Sequence, residues 1–323
     1  MPALNLAVCW ELFYNLLILI KDNQQVTYID FMPLGNLNDC APEQYFIKLS
    51  VFPLGSYLAG LVEGDGTIVV PKTERSAKGR LNYPSIQIVF QLKDFPLCQM
   101  IQKQLGYGSI NKKKQSAAYV FTINSNEGLI HFAKLINGKV RGPKYFQYCL
   151  LIKYLNNKNL DLNLIADKLD LSPLSTNSWL AGFIEADGSF QVRTSLISKV
   201  KRLQLSFEIS QTRVTKYGYS TYELLLSIAQ FLCVNVNEIR SDRKHPQYRI
   251  RTSTVKTNLI LCNYLDQFNL QGTKYLDFQD WKSILHLFEK GSHNENISKI
   301  VEVKSGMNQR RTEYNWNHLR IGN

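Results

Sequence analysis

The sequence predicts an α+β protein made of two pseudo-symmetric repeats, each running αββαββα, and three observations lead there. A thirteen-residue segment occurs twice, the strands and helices after it recur in the same order, and each copy closes on a Gly-x-Lys-Tyr step into a helix. Ser56 to Ile68 reads SYLAGLVEGDGTI and returns at Ser178 to Phe190 as SWLAGFIEADGSF. Asp65 and Asp187 are therefore 122 residues apart, far beyond the roughly 20–50-residue period of a solenoid. The duplication is one of whole domains.

Each copy opens on a helix whose apolar and small residues keep a helical spacing, with Ser56 and Ser178 as the expected N-caps. The Asp-Gly step, followed by Thr67, Ile68, Val69 and Val70 or by Phe190 and Val192, turns the chain into a strand. Gly60 and Gly64, like Gly182 and Ala186, are small residues four apart on one face, so two such helices can meet closely at an interface between the repeats. The next strand alternates in both copies: Ile86, Ile88 and Phe90 within 85–91, and Leu205, Phe207 and Ile209 within 204–211. Helical stretches (95–105; 222–232) and hairpin regions (107–123; 236–252) follow. Gly142-Pro-Lys-Tyr145 and Gly272-Thr-Lys-Tyr275 then lead into amphipathic helices. The expected divisions are an extension (1–50), a first repeat (51–155), a linker (156–177), a second repeat (178–290) and a tail (291–323).

Packing the two motif helices together brings Asp65 and Asp187 near each other at helix C-termini, where the macrodipole is already negative and a carboxylate is disfavoured. A positive charge must sit there. Hard oxygen ligands with open positions suit Mg²⁺, which takes one or two carboxylates and fills its remaining sites with water and phosphate oxygens. A single Asp-Gly is an ordinary turn; its recurrence inside a duplicated segment sets this pair apart.

These residues also carry a family resemblance. LAGLVEGDG (58–66) and LAGFIEADG (180–188) resemble the two signature motifs of the LAGLIDADG homing endonucleases, in the monomeric, double-motif, intron-encoded form, over about residues 51 to 290. The resemblance implies an antiparallel sheet in each half, the two forming a saddle over double-stranded DNA, and divalent-metal-dependent phosphodiester hydrolysis leaving four-nucleotide 3′ overhangs. It implies that Asp65 and Asp187 bind the metal, with Gly64 and Ala186 directly before them counted in the same site. Two or more Mg²⁺ ions are expected, with Mn²⁺ or Ca²⁺ as substitutes in binding. Gln91 and Gln211 match a family position that orders water beside the metals, and Lys144 and Lys274 match its basic residue near the active site. Glu63 and Glu185 are read as supporting residues at the helix ends. Some members are maturases that help their host intron RNA to fold, which makes intron RNA a second candidate partner and maturase action the alternative function. A DNA-binding regulator that does not cut is a further alternative.

Composition agrees with a polyanion partner. The formal charge is +12, and residues 1–50 carry two basic against five acidic groups, leaving +15 on residues 51–323. The six cysteines show no Cys-x-x-Cys spacing, so neither a zinc site nor a disulfide framework is indicated. The apolar stretch 5–20 contains Glu11 and Asn15 and falls short of a bilayer span of about 20 residues, so a buried helix is expected and no membrane. No Arg precedes Arg75, which argues against an Arg-rich import sequence; with the resemblance, the expectation is a mitochondrial protein translated in the organelle. The five histidines are scattered, and His293-Asn294 lacks the downstream partner of a His-Asn-His nuclease.

Two-stranded β-ribbons fit the major groove, where Arg and Gln read guanine and adenine edges bidentately. The expected DNA contacts are the polar members of the alternating strands: Ser189, Gln191, Arg193, Arg249 and Arg251 in the second half, and Lys72, Arg75, Gln87, Lys112 and Lys114 in the first.

Overall fold

In the computed structural model, which describes residues 54–114, 116–159, 161–195 and 202–319, the first motif forms helix α1 (Leu54–Asp65) and turns at Gly66 into β1 (Gly66–Val69). Strand β2 (Ser85–Gln91), helix α2 (Phe95–Leu105) and the hairpin β3 (Ser109–Lys112) and β4 (Ala118–Ile123) follow. The half ends on two helices, α3 (Asn126–Ile136) and α4 (Tyr145–Lys158). The second motif forms α5 (Trp179–Asp187), and the order repeats: β5 (Gly188–Ser195), β6 (Arg202–Thr212), α6 (Tyr222–Phe231), β7 (Val236–Ile239), β8 (Gln247–Thr252), α7 (Val255–Gln267) and α8 (Lys274–Glu289). Expected residues 1–50 and the helix within 5–20 lie outside the described residues. Among the described residues no helix is long and apolar enough to cross a membrane.

Each half thus runs αββαββαα, one helix beyond the expected order. The additional helices have local signals: Ser125 accepts from the Gly128 N–H ahead of α3, and Thr254 and Thr257 form a capping box ahead of α7. Helix α1 begins at Leu54, which is buried, so Ser56 lies inside its first turn and is not the N-cap. Ser178 does stand at the N-cap of α5, but it is Asn177 Oδ1 that accepts from the Trp179 N–H. The first-half helix α4 runs to Lys158, into the stretch expected as linker. The tail carries a further helix, α9 (Ile297–Ser305), that buries Ile300.

Both sheets are antiparallel, in the order β1-β2-β4-β3 and β5-β6-β8-β7. One face of each carries the core: Ile86, Ile88, Phe90, Phe121 and Ile123 in the first half, and Phe190, Phe207, Ile209 and Ile250 in the second. Phe190 lies 5.3 Å from Phe207, 5.5 Å from Phe278 and 5.4 Å from Trp281, ring centroid to centroid, which locks β5 and β6 onto α8. Helices α1 and α5 are apolar around their whole circumference because they are packed on all sides.

Candidate active site

The two motif helices cross with their backbones in contact. A Cβ placed on Gly60 would stand 1.9 Å from Trp179 O, and one on Gly182 would stand 1.9 Å from Tyr57 O. Only glycine fits at either position. One turn on, a Cβ on Gly64 would meet Ala186 Cβ at 2.2 Å and Asp187 Oδ2 at 2.7 Å, so the acid ending one helix lies against the end of the other.

At this crossing a lysine from each half returns to its own motif helix. Lys144 Nζ donates to Val62 O at 2.6 Å and Gly64 O at 2.8 Å, and Lys274 Nζ donates to Ile184 O at 2.9 Å and Ala186 O at 3.2 Å. These are carbonyls of the last turn, at the negative end of each helix dipole, where a cation is most stabilised. The positive charge required beside the acids is thus an ammonium group on each side. Two of its three donors are engaged by carbonyls, and those carbonyls belong to the segments that include Gly64 and Ala186.

Both acids hold protons more tightly than ordinary carboxylates. Burial pushes Asp187 up to about 6, with the charge of Asp65 adding to the rise and Lys274, Lys144 and a hydrogen bond from Gln211 opposing it. Asp65 is also raised by burial, against the pull of Lys274 and Lys144 and with a further push from Asp94. Lys144 and Lys274 are lowered by burial despite the surrounding carboxylates. Five acids (Glu63, Asp65, Asp94, Glu185, Asp187) therefore surround two lysines, and the excess negative charge at this half-buried crossing is what a divalent cation would relieve. The donor set fits Mg²⁺ held by Asp65 and Asp187. Among the described residues no cluster of three or more His, Cys, Asp or Glu offers an all-protein metal cage.

Glu63 and Glu185 tie each motif helix to its lysine-bearing loop. The Lys144 N–H donates to Glu63 Oε1 at 3.2 Å, while the N–H groups of Gln271 and Gly272 donate to Glu185 Oε2 at 2.8 and 3.0 Å. Burial raises both glutamates. Tyr57 of the first half donates its hydroxyl to Glu185 Oε2 at 3.2 Å, and Asp94 Oδ1 accepts from the N–H and hydroxyl of Thr273 at 2.8 Å each. Sequence reading singled out neither Tyr57 nor Asp94. Both link the halves, and no local pattern reports a partner more than a hundred residues away.

The glutamines are not equivalent. Gly66 pairs with Ile88 and Gly188 with Ile209, so Gln211 corresponds to Phe90, and Gln91 to Thr212. Gln211 lies on the inward face and donates to Asp187 Oδ2 at 2.6 Å, whereas Gln91 lies on the opposite, exposed face. From the paired glycine to its ladder partner the chain is one residue longer in the first half, and a one-residue offset moves a side chain to the other face of a sheet.

The outward face of the second sheet gathers Ser189, Gln191, Arg193, Arg249 and Arg251 as expected from their alternation. At its centre is Glu208, which sequence reading passed over as an ordinary strand residue. Glu208 is buried, accepts from Gln191 Nε2 at 3.2 Å, and pairs with Arg193 Nη2 at 3.3 Å and Arg251 Nε at 3.0 Å. On the first sheet Gln87 shares the outward face with Thr67 and Thr122. Lys112 does not: its partner Tyr119 pairs with Phe90, which gives it the parity of the core face although it is exposed at the strand end, and Asn111 takes the outward position. Lys72 and Lys114 are exposed beyond the strand ends. Arg75 donates to Gly79 O at 2.8 Å and braces the β1–β2 connection.

Comparison with known proteins agrees with this geometry. The chain is 27% identical over 313 residues to the intron-encoded DNA endonuclease aI3 of Saccharomyces cerevisiae, covering 86% of this chain and 75% of that protein. It is 26% identical over 208 residues to the intron-encoded RNA maturase bI4 of the same yeast, covering 61% of this chain and 29% of the maturase. In fold it matches the I-LtrWI LAGLIDADG homing endonuclease, crystallised on its target DNA, with a TM-score of 0.63 at 23% identity over 80% of this chain and 99% of that one. The family described as "LAGLIDADG endonuclease" matches at residues 58–176 and again at 180–285, each match starting within a motif helix. Two such matches over most of its length, on helices that cross at paired glycines, make this chain a member of the LAGLIDADG endonuclease family.

Proposed function

We propose that the protein is a site-specific, Mg²⁺-dependent endonuclease that cuts both strands of a DNA target as a monomer and leaves short 3′ overhangs. The observation that carries this reading is the convergence of the two motif-helix ends, where Gly64, directly before Asp65, stands against Asp187 and a lysine from each half reaches the last carbonyls. A divalent cation held there would polarise a scissile phosphate and lower the pKa of attacking water. The protein's own part is electrostatic and positional. Lys144 and Lys274 are placed to stabilise charge building on the phosphoryl group. Gln211 fixes the rotamer of Asp187, and the glutamates hold the lysine loops at a set distance from the helices. The relatives' intron-encoded character, taken with the resemblance, supports expression inside a mitochondrion.

Plasmid carrying the uninterrupted intron-insertion sequence, incubated with protein and Mg²⁺, is expected to become linear. Intact plasmid alongside faster intron splicing would favour the maturase reading, which the similarity to bI4 keeps in play. Duplex binding is expected to weaken by about 10³- to 10⁵-fold between 50 and 200 mM salt, as release of counterions from several phosphate contacts requires; a flat profile in a binding titration contradicts a basic face on DNA.

Glu208 predicts a separate result. Glu208→Gln frees Arg193 and Arg251 from their shared carboxylate, so binding to unrelated duplex is expected to tighten while discrimination falls by about 1–3 kcal/mol at the base pairs those arginines read. Affinities for a panel of single-base target variants measure it. An unchanged panel argues against Glu208 as the organiser of that face.

A further inference from the structure

The two lysine-bearing loops are built alike but braced by segments that share no sequence. In the first half the brace is the linker between the repeats. The Asp170 N–H donates to Val140 O at 2.9 Å, Asp170 Oδ2 pairs with Arg141 Nη2 at 2.7 Å, and Arg141 Nη1 donates to Ser172 O at 2.6 Å. The Arg141 side chain is only 6% exposed, so solvent screens this pair weakly. Arg141 immediately precedes Gly142, whose position is pressed against Glu63 Oε1.

In the second half the brace is the tail. His318 Nε2 stands 3.1 Å from both Gln271 O and Gly272 O, and its ring stacks on Tyr275 with centroids 4.2 Å apart. Both partners are acceptors, so Nε2 carries the proton. The N–H groups of the same two residues already donate to Glu185. Residues 271–272 are therefore gripped from both sides, by the motif helix through their N–H groups and by the tail through their carbonyls. Further along, Asn308 N and Arg311 Nε donate to Asp277 on α8, which fastens the tail to the helix that Lys274 begins.

We infer that the linker and the tail are a pair of straps, with Asp170 and His318 acting as positioning residues for Lys144 and Lys274 respectively. Neither touches the acids. Each fixes the loop from which one lysine reaches the crossing, and a displacement of about 1 Å at such a group costs up to about 10²-fold in rate. Because the straps serve different lysines, their loss unbalances the two cuts.

The inference rests on the nuclease reading, and its test separates the two. The full chain is mixed in excess with target duplex labelled distinctly on each strand, and single-turnover cutting of each strand is followed in Mg²⁺. Wild-type protein that cuts neither strand overturns the nuclease reading and this inference with it. Given wild-type cutting, His318→Ala is expected to slow one strand about tenfold more than the other, so that nicked product accumulates, with DNA affinity unchanged. His318→Gln, whose amide nitrogen replaces Nε2 as donor, is expected to restore the balance. Asp170→Ala is expected to slow the opposite strand; should it fail to fold, Asp170→Asn, which keeps the shape and removes the charge, takes its place. Equal slowing of both strands by each variant, no slowing by either, or no restoration by Gln overturns the assignment.

Discussion

Asp187→Asn is expected to abolish double-strand cutting, leave DNA affinity within a few-fold of wild type, and raise the melting temperature of the metal-free protein at neutral pH. If Asp187 holds the divalent cation as proposed, its loss removes several kcal/mol of transition-state stabilisation, which corresponds to a rate at least about 10³-fold lower. Affinity survives because the acid, half-buried at the helix crossing, carries a negative charge and so adds no direct attraction to the DNA phosphates. The stability gain follows from the raised proton affinity. Below the unfolded value near 3.8 the carboxyl is protonated in both states and contributes nothing. As pH rises towards about 6 the unfolded chain ionises first, so the native state loses relative stability, and above about 6 that cost is complete. The amide carries no such cost. A thermal melt at pH 7 is therefore expected to favour the variant by an amount on the order of 2 kcal/mol, and a melt at about pH 3, below the unfolded value, to show almost no difference. Asp65→Asn is expected to behave alike in cleavage. Retained linearisation by both single variants removes the metal assignment.

Gly182→Ala is expected to unfold the crossing itself. Its new Cβ would lie 1.9 Å from Tyr57 O and 2.9 Å from the Leu61 N, main-chain atoms that no rotamer change can move. The helices must separate, and with them the packing of Tyr57, Leu61, Phe183 and Ile184, all buried. Overpacking against backbone costs about 3 kcal/mol or more, a large share of a domain's typical stability of about 5–15 kcal/mol. Gly60→Ala meets Trp179 O at the same distance and is expected to be equally damaging. Chemical denaturation with protein fluorescence measures the loss. Wild-type stability in either variant would mean that the helices tolerate a wider crossing than the structure has.

Much of this architecture was legible in the sequence because duplication doubles every signal. The alternation of Ile86, Ile88 and Phe90, repeated by Leu205, Phe207 and Ile209, identified the central strands and their buried faces. The paired small residues identified the helix contact. What escaped was what depends on register or on distant partners. Gln91 and Gln211 are not equivalent because the span from Gly66 to its partner Ile88 is one residue longer than that from Gly188 to Ile209, a difference invisible until the ladders are aligned. The face of Lys112 likewise depends on register, since alternation within a four-residue strand does not say which parity is inward. Glu208 looked unremarkable because its meaning lies in side chains on two neighbouring strands. The tail looked like a polar appendage; its contribution comes from Asn308, Arg311 and His318 meeting acceptors on α8 and its preceding loop, which no periodicity encodes.

The contact at Gly60 and Gly182 has a further consequence. With main-chain atoms of the two helices in van der Waals contact, the separation of Asp65 and Asp187 is set by the crossing of the backbones themselves. In the proposed nuclease, substitutions on the outward strand faces would change the sequence read while the spacing of the two acids stays constant, an arrangement that lets recognition drift without disturbing the cut.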